Sequence, residues 1–549
     1  MKQKIDKLFV NGKIYTFIEE NDTVEAVAVN KGYIIWTGLT KNALEKFDPA
    51  ELIDLQGKAM EPSMGDSHLH FYAYNQTLFT VDLGNITTRA EAWAKLKAKC
   101  DEVPAGTWVK GSNYDQSKWQ DMDVDRMPTA DDLDLVSTEH PVIIKRCCLH
   151  EVSANHLALK MAGIGHGYVY GEGGLVELDE NGDPNGVIRE QASKLFDDIV
   201  PDPLTDKAVR EQTMEKTFKH VSSVGVTMMD TYAAKIWNFF EDPDVYENLD
   251  KKGKLPVRMR VCLEEMYDKP ILTEQEKADP YRKVDYGTFK SFTDGSFGAR
   301  SAALLEDYDD DPGNKGILVI SQDALNERIY QAYKHGLQPA THCIGDAGTE
   351  ACLQAIEYTV KRCIEEDGYT MDEIMKGPKF RVIHAQLVHP DQLERFKKVP
   401  AIFDIQPVFL NTDLHWIDER IGSRANDAYT WKTYLEEGII CTGGSDCPVE
   451  SYNPWPGIWG AVNRTDPLFP DEAPWHPEQK LSKFQAACLY SKYMAYGNQM
   501  ERYLGTIEPG KFADMIVTDR DWLNGPDDDI LNVKVLKTYL AGDEVYSAE

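Results

Sequence analysis

The sequence predicts an α/β chain: a TIM-like (β/α)8 barrel, a small β-sandwich formed by both chain ends, and an insertion after the first barrel strand. Three observations predict it. The middle of the chain alternates short apolar strands with helical patterns, which argues βαβ units. Eight such strand segments can be found, the number this barrel requires. Both ends carry β-patterned segments with too little apolar pattern for a core of their own.

The first stretch, 8–17, reads as a hairpin around Asn11-Gly12, a dipeptide suited to tight turns. Short strands follow at 24–29 and 33–37. Near the far end, 513–518 and 533–540 are strand-like, and Ala541-Gly542 marks a turn before 544–546. We assign 1–60 with 505–549 to the β-sandwich and 61–504 to the barrel. The barrel strands are expected at 64–71, 225–230, 257–263, 288–293, 338–343, 380–384, 401–405 and 440–445. Lys290 to His342 is 52 residues and His342 to His384 is 42, each suited to one strand, one helix and their loops. His70 to Gly225 is 155, too many for one unit, so an insertion is expected at 72–215.

The chain has 549 residues, 42% hydrophobic and 27% charged, which suits a globular enzyme with a large core. Its net charge of −32 repels phosphate backbones and anionic lipid, so neither nucleic acid nor membrane is an expected partner. The ten cysteines form no C-x-x-C pair and read as reduced core thiols. The start of the sequence has no apolar signal core, and no apolar run approaches the ~20 residues of a membrane span. The cytoplasm is the expected compartment.

His68 and His70 stand two apart at the end of the first strand, so their side chains point the same way and can grip one divalent ion. Alone this motif is weak, because close histidines are often surface or capping residues. Lys290, His342, His384 and Asp446 sit at the ends of later strands, where barrel enzymes gather their catalytic residues. Each has a structural alternative: an edge lysine, core histidines, a helix cap before Cys447-Pro448. Their joint occurrence at strand spacing favours a site.

In this order, H-x-H, Lys, His, His and Asp, the set resembles the amidohydrolase superfamily. The stretch Gly505-Thr-Ile-Glu-Pro-Gly-Lys-Phe-Ala-Asp514 resembles the family's return to its β-domain. Segments 289–302, 342–346, 384–387 and 444–449 are similar to the YtcJ-like branch, which includes N-substituted formamide deformylase. So are 111–115 with Trp119, His150 with Asn155, and 186–190. The resemblance covers nearly the whole chain. One departure is Ile383, where relatives usually carry Glu.

The resemblance implies zinc, one or two ions, with other divalent metals compatible. His68 and His70 would hold one ion and His342 and His384 a second. Lys290 would bridge them as a carboxylated lysine, and Asp446 would be both ligand and general acid/base. The implied reaction is hydrolysis of a non-peptide carbon–nitrogen bond in a small-molecule amide by a metal-activated water. Asp115, His150, Asn155 and Glu190 are implied substrate contacts, and Arg300 is a candidate for binding a substrate carboxylate. Local structure is the alternative for each: a cap for Asn155, solvated charges for Glu190 and Arg300. Trp119, Trp416, Trp455 and Trp459 are candidates to line an apolar cleft. A homodimer is the family-level expectation. Three other readings compete: a mononuclear deaminase of the same superfamily, a non-catalytic barrel acting as a binding or scaffold protein, and a sugar or phosphate enzyme on a barrel, for which no glycine-rich phosphate loop is evident. Lys290 argues against the first, and six filled ligand positions against the second.

Overall fold

The computed structural model describes residues 1–84, 86–116, 119–121, 126–146, 151–171, 174–196, 199–233, 243–265 and 282–548. It resolves into two compact units, one of residues 1–71 with 214–549, the other of residues 72–213.

The first unit contains eight parallel strands: β1 (Met64–Leu69), β2 (Val226–Tyr232), β3 (Arg258–Leu263), β4 (Val284–Phe292), β5 (Gln338–Cys343), β6 (Phe380–His384), β7 (Ala401–Ile405) and β8 (Cys441–Gly443). Each pairs with the next in sequence order. Helices such as Gln322–Lys334 and Asp346–Glu365 return the chain between strands. The strands are buried on both faces, which explains their near-continuous apolar runs.

Backbone bonds across the seam between β8 and β1 close the cylinder. The Asp446 N–H donates to His68 O at 2.7 Å, and the His70 N–H to Cys447 O at 2.7 Å. Gly444 permits this approach, because a Cβ there would lie 2.8 Å from His68 N. Inside the barrel, Tyr232, Cys262, Ala340 and Ile383 form an apolar layer. Arg381 is wholly buried nearby. It donates to Asp404 at 2.6 Å, Asp230 at 2.7 Å, Asn498 at 2.9 Å and the Ser67 carbonyl at 3.1 Å.

Both chain ends build two sheets beside the barrel in the same unit. One has four strands, all from residues 3–54; the other has six and joins Lys13–Tyr15 and Ala59–Pro62 to Met515–Thr518 and the last two strands. Their shared core includes Phe9, Val27, Met60, Met515 and Tyr539. The expected Asn11-Gly12 hairpin is corrected here. Asn11 does take a left-handed φ of 56°. The strands on either side of it, Gln3–Val10 and Lys13–Tyr15, lie in different sheets, so the dipeptide is a corner between layers.

The second unit has its own six-stranded sheet, including Val109–Tyr114, Val142–Arg146 and Glu151–Ala154, and its own apolar clusters. Eight cysteines are free and buried; Cys147 and Cys148 lie outside the described residues. No helix among the described residues is long and apolar enough to cross a membrane.

Candidate metal centre

Strand alternation and two local backbone turns bring the six expected residues to the C-terminal end of the barrel. His68 is in β1, and His70 follows it. Lys290 is near the end of β4, His342 near the end of β5, and His384 ends β6. Asp446 follows β8. His384 and Asp446 have φ values of 73° and 57°, a left-handed backbone that costs a non-glycine residue about 1–2 kcal/mol. Such cost at both positions marks where the fold is bent to aim a side chain.

Asp446 Oδ1 lies 3.2 Å from His68 Nε2 and 3.1 Å from His70 Nε2. The rings of His68 and His384 are 5.4 Å apart, and those of His342 and His384 are 4.4 Å apart. Ligand atoms of His68, His384 and Asp446 all lie within 4.8 Å of one another. Lys290 Nζ sits 4.9 Å from the Tyr232 ring and 4.7 Å from the Phe292 ring. It is buried and has no hydrogen-bond partner.

Neighbouring acceptors fix which ring nitrogen each histidine offers. His70 Nδ1 donates to the Tyr232 carbonyl at 2.6 Å, and His384 Nδ1 to Gln406 Oε1 at 2.6 Å. Both therefore present an Nε2 lone pair. His342 Nε2 donates to the Gly295 carbonyl at 3.0 Å, which leaves Nδ1 as its ligand atom. Sequence reasoning missed Tyr232, Gln406 and Gly295, which supply no metal-binding atom but set the tautomers. Gln406, directly after β7, was the one with a positional signal.

Electrostatics point the same way. Burial, then the Lys290 charge, pushes His342 down to about 3 and His68 well below the ordinary histidine range. Burial, reinforced by His342, does the same to His384. Burial opposes the Asp446 carboxylate, but the His68 and His70 ring nitrogens beside it outweigh that and hold its carboxyl well below the usual range. Burial lowers Lys290 to about 8 against the pull of Asp446. The Nε2 atoms of His68 and His70 thus converge on one oxygen of an ionised carboxylate, at 3.2 and 3.1 Å, a cluster of donor atoms that a cation among them would bind. The donor set of imidazole and carboxylate suits zinc and related divalent ions.

Asp294, on the loop after β4, supports this end of the barrel. Its carboxylate accepts from the N–H groups of Ala303 at 3.0 Å, Ile344 at 3.1 Å and Gly345 at 2.8 Å. It therefore ties the loop after Lys290 to the loop after His342.

The expected substrate contacts fare differently. Arg300 donates twice to Asp310, at 3.1 and 2.9 Å. Asn155 belongs to the second unit. It accepts from Val142 N and Ala158 N and donates to the carbonyls of Ser137 and His140. With all four bonds used, it is the cap of helix His156–Met161 and has none left for a substrate. Asp115, also in that unit, lies 3.4 Å from Arg146. His150 lies outside the described residues, as does the side chain of Glu190. Trp119 and Trp455 pack in cores, against Trp93 and Trp522, and buried Trp459 donates to Thr465 O.

Comparison with known proteins agrees with this geometry. Residues 51–546 match the model of a family described as the amidohydrolase family. The YtcJ protein of Bacillus subtilis is 31% identical over 97% of this chain and 98% of its own. N-substituted formamide deformylase of Arthrobacter pascens is 24% identical over 99% and 98%. Among solved structures, a metal-dependent hydrolase of Pyrococcus horikoshii superposes with a TM-score of 0.73 at 26% identity, covering 95% of this chain and 99% of that one. The eight-stranded barrel, its flanking sheets and a match over nearly the whole length together place the chain in the amidohydrolase family.

Proposed function

We propose that the protein hydrolyses a carbon–nitrogen bond of a small-molecule amide at a divalent-metal centre held by His68, His70, Lys290, His342, His384 and Asp446. The observation that carries this reading is Lys290: a wholly buried amine without a hydrogen-bond partner, among four imidazoles and one carboxylate. A bare ammonium has no lone pair for a metal. Reaction of the neutral amine with carbon dioxide forms an N–C bond, releases one N–H proton and leaves an anionic carbamate with two donor oxygens. Burial favours the neutral amine this needs.

Zinc or a related ion in such a site supplies Lewis-acid polarisation of a scissile carbonyl and lowers the pKa of water. The remaining work falls to the chain. Tyr232 O, Gln406 and Gly295 O hold His70, His384 and His342 in one tautomer each. Asp446, kept ionised, takes the proton of the attacking water and gives it to the leaving nitrogen. The relative named for formamide deformylation makes N-formyl amines the first substrates to test.

The test is metal analysis of the purified protein, then a screen of N-formyl and N-acyl amines with metal-stripped protein as control. Metal-dependent amine release supports the reading. Equal activity after stripping refutes it, and one ion per chain beside an unmodified Lys290 would favour the mononuclear deaminase.

A further inference from the structure

Among the described residues, one carboxylate on the run that follows β7 has no charged partner. Asp413 ends the helical run that follows β7, made of Pro407–Phe409 and Leu410–Asp413. The residue before this run, Gln406, holds His384. Phe409 stacks on the His384 ring, with centroids 6.1 Å apart and planes at 24°. Phe409 and Asp413 are four apart on this run and share a face. Asp413 is therefore about one turn from the aromatic wall of a metal ligand.

Its partners are neutral. Tyr429 Oη donates to Asp413 Oδ2 at 2.6 Å, and Gln386 Nε2 reaches the same oxygen at 3.5 Å. Gln386 also donates to Tyr429 Oη at 3.0 Å, and it lies two residues beyond His384. Among the described residues, no lysine, arginine or histidine nitrogen lies within 4 Å of this carboxylate. Elsewhere in the barrel, Arg381 serves Asp230 and Asp404, and three N–H groups serve Asp294. Arg464 approaches Tyr429, but it donates to the carbonyls of Tyr429 and Trp475. Burial pushes the Asp413 carboxyl up to about 7, so ionisation here carries a cost that a bound cation would offset. Asp413 itself remains partly exposed, while Gln386 and Tyr429 behind it are buried.

We infer that Asp413, backed by Tyr429 and Gln386 and walled by Phe409, is a specificity subsite for an ammonium-bearing part of the substrate. The cation would take the Asp413 carboxylate and lie against the Phe409 ring. The inference rests on the hydrolase reading only for where the scissile bond lies.

The experiment reads binding, not turnover. Phenethylammonium, 2-phenylethanol and 3-phenylpropionate are titrated calorimetrically into the full-length protein at physiological salt. The expected result is that the ammonium binds most tightly to the wild type, and that D413N weakens it about tenfold or more. D413N should leave bound metal and the thermal midpoint unchanged, and the exposed-site control D372N should bind the ammonium as the wild type does. Y429F removes one neutral donor from the carboxylate, so it should bind the ammonium at least as tightly as the wild type; this variant keeps the test decisive if D413N does not fold. Equal binding to wild type and D413N, an equal loss in D372N, or weakened binding in Y429F overturns the inference. Failure of the hydrolase reading would show in metal-dependent amine release and leave these affinities unchanged.

Discussion

Replacing Arg381 with methionine should cost about 5 kcal/mol of stability. The guanidinium is fully buried and answers two carboxylates, Asp230 and Asp404, at 2.7 and 2.6 Å. Breaking a buried pair by removing one partner costs about 3–5 kcal/mol, because a charge is left uncompensated. Two are left here, which argues for the upper end. Protonation of the orphaned carboxyls caps the loss, since each retains a neutral donor: Asn498 for Asp230 and Thr442 for Asp404. With a urea slope of about 4 kcal/mol per molar for a chain of this size, the midpoint should fall by roughly 1 M. Tryptophan fluorescence during urea unfolding measures it. The pH dependence gives a second check. Orphaned carboxyls have folded pKa values above their unfolded ones, so the variant's stability should decline as pH rises from 5 to 8, relative to the wild type. Adding D404N to R381M should recover part of the loss. A midpoint within about 0.2 M of wild type, or a deficit independent of pH, would refute the argument.

D446N should lower kcat by about 10²–10⁴ while metal content measured by elemental analysis is largely retained, because an amide oxygen can still coordinate but cannot carry the proton. K290A should lose bound metal, and added acetate should restore part of it; intact-mass measurement under native conditions should find one carbon dioxide on wild-type Lys290 and none on K290A. His389 donates to Asp346 and Asp427, each at 2.9 Å, and hydrogen bonding to Asp346 followed by Asp427 raises it to about 9. Its folded pKa lies above the unfolded value of about 6.5, so its contribution is full below that pH and lost as pH rises through about 9. H389Q should therefore cost about 2 kcal/mol at pH 6 and almost nothing at pH 10, read from thermal or urea midpoints.

Much of the barrel was legible because its strands are short, apolar and regularly spaced. The segments at 338–343, 380–384 and 401–405 coincide with β5, β6 and β7 residue for residue. The six residues at strand ends were legible as a set, since alternation puts His68 and His70 on one side and the order of types is distinctive. What was not legible depends on distant partners. Asn11-Gly12 looks the same in sequence whether it joins paired strands or turns a corner between sheets. Asn155 looked available until Ser137 and His140 were found beside it. Arg381, in the run Phe-Arg-Val-Ile-His, was the missed signal that the sequence did contain. A charged residue inside a fully apolar strand demands buried partners, and it has two.

The seam between the first and last barrel strands has a consequence for how this protein is made. His68 and Asp446 are 378 residues apart in the chain, yet their backbones are bonded to each other and their side chains face one another at the centre. A nascent chain short of Asp446 can build strands and helices in order, but it owns only part of the ligand set. The centre is completed in the same event that joins the ends of the cylinder, the most distant pairing in the barrel and so among its slowest to form. Metal binding at the proposed centre should then report whole-barrel closure, and a fragment that stops short of Asp446 should fail to retain the metal.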